Sequence, residues 1–119
     1  CHSILPDEPQ KGPYLGSVGN LFNREQLIKH VIDPGAEVAQ GFQTYTFQLK
    51  DGTATSGFVT ARDERTIELR NVAGAIQKLS AADVTKEEVL KTSMMPPGLV
   101  NSLTVQEFAS LIDYLQSLH

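Results

Sequence analysis

The sequence Ser93-Met94-Met95-Pro96-Pro97-Gly98-Leu99 separates a β-rich middle of the chain from an amphipathic C-terminal helix pattern. It contains both methionines of the chain. The adjacent prolines fix φ and remove backbone donors, so the stretch is expected to form a rigid extended loop. A methionine on such a loop either fills a gap in an apolar core, which is its common role, or presents its sulfur to a soft metal.

The segment after this loop predicts a helix. Thr104 and Glu107 have the spacing of a capping box. Six apolar residues then recur on one helical face: Val105, Phe108, Leu111, Ile112, Leu115 and Leu118. A stripe of this width requires a packing partner.

A second helix is predicted near the N-terminus. Asn23 and Gln26 form another capping box, and Asp33-Pro34-Gly35 ends the pattern. The apolar stripe between them consists of Leu27, Ile28, Val31 and Ile32. Residues 1–22 are rich in proline and glycine, which predicts an irregular segment without a long helix or strand.

The middle of the chain changes to period two. Residues 42–49 alternate apolar and polar, and Lys50-Asp51-Gly52-Thr53 predicts a tight hairpin turn. This alternation places Tyr45, Phe47 and Leu49 on one face. Further strands are predicted over 54–61, 66–70 and 75–79, with a turn over 71–74 and a short helical turn over 80–84. The pattern favours a small antiparallel sheet or partly closed barrel.

Composition sets broad limits on function. The 119 residues, 40% of them hydrophobic, are enough for one domain with a core, predicted to span 1–119. The net charge of −4 argues against nucleic acid as a partner. No apolar run is long enough to span a membrane. The single cysteine excludes an internal disulfide framework.

No residue pattern indicates catalysis, so the chain is not expected to be an enzyme in its own right. We find no paired acid and base, no nucleophile beside a histidine and no phosphate-binding glycine loop. The carboxylates of Asp33, Asp51 and Asp63 fall in predicted turns, where they cap the backbone. His30 lies off the apolar stripe and is expected to be a solvated surface residue.

Several short sequence motifs, taken in order along the chain, resemble motifs of the c-type cytochromes. Cys1-His2 resembles the end of their haem-attachment motif, Gly12-Pro13-Tyr14-Leu15 the segment that follows it, and Met95-Pro96 the distal-ligand loop. The sequence over 111–115 resembles their last helix. The chain is most similar to one subfamily, haem-binding c-type domains with a β insertion in large, often dehydrogenase-like bacterial proteins. The recurring motifs of this subfamily match residues 27–35, 41–45, 49–52 and 93–99.

The resemblance implies a fold and a function. The implied fold class is α+β, with cytochrome c-like helices around a haem and an inserted sheet over 41–84, flanked by a haem-proximal part over 1–40 and a distal part over 85–119. The implied function is electron transfer through covalent haem c in a periplasmic or other extracytoplasmic location. Its partner would be a redox protein or a fused dehydrogenase domain.

The same resemblance assigns roles to individual residues. Cys1 would hold the haem covalently, with His2 as the proximal ligand of the iron and Met95 as the distal one. Met94 is the rival distal ligand, but the residue directly before proline matches the family pattern. The Pro13 carbonyl would accept a hydrogen bond from the second nitrogen of His2. The apolar wall around the iron would consist of Tyr14, Leu15, Phe22 and Leu99.

The chain also departs from the family pattern. The first cysteine of the motif and the helix that precedes it are missing, so the C-terminal stripe is expected to need that helix or another chain as its partner. An alternative interpretation makes the chain a non-redox interaction module. In that interpretation the β segment binds a neighbouring domain or peptide along an exposed strand edge.

Overall fold

The computed structural model describes residues 1–9, 11–39, 41–71 and 73–119. The chain divides into two compact units, each described here by itself. We call Val38–Met94, with which Cys1 is grouped, the sheet unit. We call the combination of His2–Glu37 and Met95–His119 the helical unit.

The sheet unit is one antiparallel sheet with the strand order β4-β3-β2-β1-β5. A single 3-10 turn over Ala81–Asp83 connects its fourth and fifth strands and agrees with the predicted helical turn. The strands are, in chain order, β1 Thr44–Leu49, β2 Ala54–Arg62, β3 Thr66–Arg70, β4 Ile76–Ser80 and β5 Val84–Leu90. The turn predicted over 71–74 includes Val72, and that position lies outside the described residues.

The first hairpin forms where the sequence predicts it. Asp51 accepts hydrogen bonds from the backbone N–H and the hydroxyl of Thr53, at 2.9 and 2.6 Å. Gly52 has φ +86°, a left-handed conformation that glycine adopts without a steric penalty. These local interactions close β1 onto β2 and set their register, with Phe47 opposite Thr55.

One face of the sheet carries the apolar core of this unit. Phe47, Ile67, Leu69 and Leu79 are buried there, and Phe47 has no exposed surface. The half-buried side chains around them are Tyr45, Leu49, Val59 and Val84. The predicted common face of Tyr45, Phe47 and Leu49 is therefore confirmed. Full burial of each large apolar side chain contributes roughly 1.5–3 kcal/mol.

The pairing of β2 with β3 has a register shift between Val59 and Ala61, which is typical of a β-bulge. Beyond this bulge, Arg62 at the end of β2 forms a bidentate ion pair with Glu87 on β5. Since β1 lies between β2 and β5 in the sheet, the ion pair crosses over the intervening strand.

The described residues of the helical unit form three helices: α1 Val18–Leu21, α2 Arg24–Ile32 and α3 Val105–Ser117. Both predicted capping boxes are present, with Asn23 and Gln26 at α2 and Thr104 and Glu107 at α3. The core of the unit consists of Val18, Leu27, Ile112 and Leu115. Next to it, Arg24 on α2 forms an ion pair with Asp113 on α3 and donates to Gln116 at 2.9 Å.

The predicted fold class is wrong. The described residues form mainly a five-stranded antiparallel sheet, with helices of only 4, 9 and 13 residues, and do not show a cytochrome c-like arrangement of helices around a haem. The helical architecture was inferred from short sequence motifs that resemble those of c-type cytochromes. Such motifs do not determine how helices and strands pack. The prediction also assigned 85–90 to the distal segment, although β5 occupies it. The side chains of these residues are polar or exposed, so the pattern of a core strand is absent there.

The apolar stripe of α3 finds its partner within the helical unit. Ile112 and Leu115 are buried against α1 and α2, and Phe108, Leu111 and Leu118 are half-buried beside them. Only Val105, 87% exposed, lies outside this packing. A preceding helix or another chain as a further partner of the stripe stays a prediction. None of the helices described is long and apolar enough to cross a membrane.

Candidate functional site

The candidate site is centred on the exposed imidazole of His2. Its Nδ1 lies 2.7 Å from the carbonyl oxygen of Pro13, which is the hydrogen bond that the resemblance to c-type cytochromes implies. Both residues belong to the helical unit.

This hydrogen bond determines which nitrogen of His2 is available to a ligand. A carbonyl oxygen can only accept, so Nδ1 must carry the proton. In the neutral ring, Nε2 then has the free lone pair, which is the form of imidazole that binds a metal. The carbonyl also fixes the orientation of the ring.

The backbone around His2 is held by the segment that contains Pro13. Leu15 donates from its backbone N–H to the carbonyl of Ser3 at 2.9 Å, so residues 2–3 run beside residues 13–15. Ser3 is 2% exposed, which anchors the chain directly after His2. Ser3 carries no sequence signal, and the prediction did not include it.

A close approach at Gly16 keeps this segment compact. A Cβ atom at Gly16 would lie 1.9 Å from the Tyr14 hydroxyl and 2.6 Å from the carbonyl oxygen of Ile4. No side chain fits there without a shift of the backbone. Tyr14, one of the predicted wall residues, therefore folds over Gly16 and is half-buried.

The other predicted wall residues lie in different surroundings. Leu15 and Phe22 pack against the core of the helical unit. Phe22 also contacts His30, with ring centroids 4.6 Å apart, so His30 is half-buried against an aromatic ring and is not a fully solvated histidine. Leu99 is 54% exposed.

The two candidate methionines fall on opposite sides of the division between the units. Met94 is grouped with the sheet unit, whereas Met95 belongs to the helical unit, as His2 does. Both side chains are half-buried. The loop ends in a turn in which Gly98, at φ +81°, accepts a backbone hydrogen bond from Asn101 at 3.1 Å.

Cys1 directly precedes His2 and has a free, exposed thiol. It is grouped by contacts with the sheet unit. The thiol is therefore accessible to covalent modification.

The number of protein ligands bears on whether a site of this kind could hold a bare metal ion or a metal cofactor. Within the described ranges, no group of three or more His, Cys, Asp or Glu side chains could hold a metal ion. In the ligand set that the resemblance to c-type cytochromes implies, His2 and Met95 would provide two ligands, fewer than a protein site for a bare transition-metal ion generally uses. A haem would itself supply nitrogen ligands, so it would require only an imidazole and a thioether from the protein.

A bidentate ion pair in the sheet unit was not predicted. The Arg62 guanidinium donates to both carboxylate oxygens of Glu87, at 2.8 and 2.7 Å. These hydrogen bonds hold the pKa of Glu87 below its ordinary value and raise the pKa of Arg62. Because the lowered pKa keeps Glu87 ionised near neutral pH, this pair is not a candidate acid or base there.

Comparison with known proteins adds no assignment: no family model and no curated protein matches this chain.

Proposed function

We propose that this chain is an electron-transfer domain with a covalently attached haem c, held through Cys1 and ligated by His2 and Met95. The observation that carries the proposal is the hydrogen bond from His2 Nδ1 to the Pro13 carbonyl, because it presents Nε2 of an exposed ring as a metal ligand. The proposal does not depend on a cytochrome c-like fold, which the sheet architecture overturns.

Each residue has a separate part in the proposal. The Cys1 thiol provides the covalent attachment, while the Pro13 carbonyl orients His2. Met95 is preferred to Met94 as the second ligand because it belongs to the same compact unit as His2. When bound, a haem with this ligand pair provides a one-electron couple with no open coordination position, which suits electron transfer.

The resemblance to c-type cytochromes extends the proposal to location and partners. Covalent haem attachment places the protein in the periplasm or another extracytoplasmic compartment. The electron partner is then a separate redox protein or a fused dehydrogenase domain.

Mass spectrometry and absorption of the native protein test the proposal directly. We expect a mass greater than that of the bare chain by one haem, retained after acid–acetone extraction, and a sharp reduced α-band. A colourless protein with the mass of the bare chain would contradict the proposed function.

The two methionines provide a matched pair of variants. Met95→Ala in the haem-loaded protein should remove the weak near-infrared band of ferric Met–haem ligation and lower the reduction potential. Met94→Ala should retain the band. If Met94→Ala removes it instead, the assignment of the distal ligand is off by one residue.

The tautomer of His2 can be measured without haem. Nitrogen chemical shifts of the His2 ring in the haem-free chain, at a pH where the ring is neutral, should show a protonated Nδ1 and an unprotonated Nε2. The opposite tautomer would remove the observation on which the proposal rests. Absorption of the native protein reports separately whether haem is present, so a wrong His2 tautomer can be distinguished from the absence of haem.

A further inference from the structure

The outer edge of the sheet at β5 is open in the described part of the chain. There β5 is the last strand in the sheet order and pairs with β1 alone. Every residue over 85–90 is exposed, including the apolar Val89 and Leu90, at 51% and 38%. An exposed edge of this kind is a template for pairing with another strand.

The register shows which backbone groups point outward. Leu49 donates from its backbone N–H to Thr53, directly before β2, so Leu49 directs its backbone groups toward that side of the sheet. The alternate residues of β1, among them Thr46 and Gln48, therefore direct their backbone groups toward β5. Their partners there are Glu88 and Lys86. The residues between and beyond these partners, Glu87 and Val89, therefore direct their N–H and C=O groups away from β1.

The sequence of β5 complements itself when two copies run antiparallel about Glu87. Val84 then lies opposite Leu90, Thr85 opposite Val89, and Lys86 opposite Glu88. The Lys86 and Glu88 positions form non-hydrogen-bonded pairs, in which facing side chains are closest. Lys86 Nζ already lies 3.2 Å from Glu88 Oε1 within each chain. In the dimer, the two lysines and two glutamates would therefore form a cluster of alternating charge, with each Lys86 facing the Glu88 of the other copy.

The central position brings two Glu87 carboxylates together. Each is already bound by the guanidinium of Arg62 within its own chain, at 2.7 and 2.8 Å. Since this pairing neutralises the carboxylate, the central repulsion is small. The backbone of Glu87 remains available for a reciprocal pair of hydrogen bonds across the axis.

We propose that β5 is a dimerisation edge whose partner is β5 of a second copy of this chain, paired antiparallel about Glu87. The proposal rests on the sheet unit alone and is independent of the proposed haem. A two-fold contact of this kind uses the same edge in both copies. Because each copy then has no free edge of this type, the contact yields a closed dimer and does not extend into a polymer.

Sedimentation equilibrium of the chain over a range of concentrations tests the proposal. We expect a concentration-dependent monomer–dimer equilibrium. Glu88→Lys places lysines opposite each other, and Lys86→Glu places glutamates opposite each other. Each should weaken self-association by about tenfold or more, since two attractive cross-strand pairs become repulsive.

Mixing the two charge variants provides the decisive measurement. Each alone is repulsive, but the pair restores opposite charges at both positions, so the mixture should associate at least as tightly as the unaltered chain. Lys78→Glu, the same charge change on the other edge strand β4, is the control and should leave association unchanged.

A backbone variant tests the edge itself. Val89→Pro removes an outward N–H without removing a hydrogen bond to β1, and should weaken the dimer while the monomer stays folded by circular dichroism. A chain that stays monomeric at high concentration would overturn the proposal. So would charge variants that dimerise as tightly as the unaltered chain, or binding of a peptide or another protein at β5 without self-association.

Discussion

The two units of this protein differ in how their residues are drawn from the chain. Apart from Cys1, the sheet unit uses one continuous run, and its first hairpin closes through contacts between residues two positions apart, Asp51 and Thr53. The helical unit joins both ends of the chain, and its contact between Arg24 and Asp113 spans 89 positions. Closing a long loop loses more chain entropy than closing a short one.

This difference bears on the candidate site. His2 and Met95 both belong to the unit assembled from distant segments. The sheet can form from local hairpins, whereas the helical unit forms only once the chain ends meet, so its contacts are expected to form later in folding. The candidate site is therefore expected to form only when the helical unit has folded, because that unit is assembled from distant parts of the chain.

Phe47→Ala should have the largest effect. Phe47 is fully buried in the sheet core, so we expect the free energy of unfolding to fall by about 3–5 kcal/mol, measured by denaturant titration. Because the two apolar clusters share no residue, hydrogen exchange should accelerate most in the sheet strands. Gln48→Ala, at an exposed position of the same strand, is the control. Equal loss of protection in α2 and α3 would show that the units unfold together.

Ile112→Ala is the corresponding change in the helical unit. Ile112 has no exposed surface, and its truncation should lower the free energy of unfolding by about 2–5 kcal/mol. Val105 belongs to the same predicted stripe but is 87% exposed, so Val105→Ala should change stability by less than about 0.5 kcal/mol. Similar losses at the two positions would mean that the stripe is covered along its whole length.

The sequence predicted those parts of each unit that local chemistry determines. The capping boxes at Asn23 and Thr104 place the starts of α2 and α3, because side chain and backbone bond within four residues. Asp51-Gly52 likewise determines the first hairpin. The β5 strand escaped prediction because its pairing with β1 is non-local and its side chains are exposed, which leaves no apolar alternation to detect.

The candidate site was predictable to a different extent. The hydrogen bond between His2 and Pro13 was expected from the resemblance to c-type cytochromes and is present. The burial of Ser3 and the ion pair of Arg62 with Glu87 depend on chain folding that no local pattern encodes. The overall fold class failed for the same reason, since matching sequence motifs do not specify how elements pack.

Two glycines, one in each unit, should respond to alanine with opposite signs. Gly52 has φ +86° in open space, so Gly52→Ala should cost about 1–2 kcal/mol through backbone strain alone. Gly35 lacks a positive φ, and a Cβ there would meet only Asp33 Oδ1 at 4.0 Å. Gly35→Ala should therefore stabilise by up to about 1 kcal/mol by restricting the unfolded chain. Thermal unfolding of both variants measures the difference, and the same sign for both would refute this explanation.

The smallest predicted effect concerns the ion pairs of the two units and depends on pH. The pKa of Glu87 is lowered below its ordinary value of 4.5 by hydrogen bonds from Arg62. The carboxylate therefore stabilises the folded state fully at pH values above 4.5, and this contribution is lost as pH falls through the lowered pKa. Glu87→Gln should lower the free energy of unfolding by about 0.5–1 kcal/mol at neutral pH, because the pair is bidentate but partly exposed.

Denaturant titration of the unaltered chain and Glu87→Gln across this pH range is the measurement. The difference between them should be constant near neutrality, shrink below pH 4.5, and decrease in high salt because exposed charges are screened. Asp113→Asn, which removes the more exposed ion pair of the helical unit, is the matched control and should have a smaller effect. If Glu87→Gln showed no pH dependence, the bidentate pair would contribute nothing to stability.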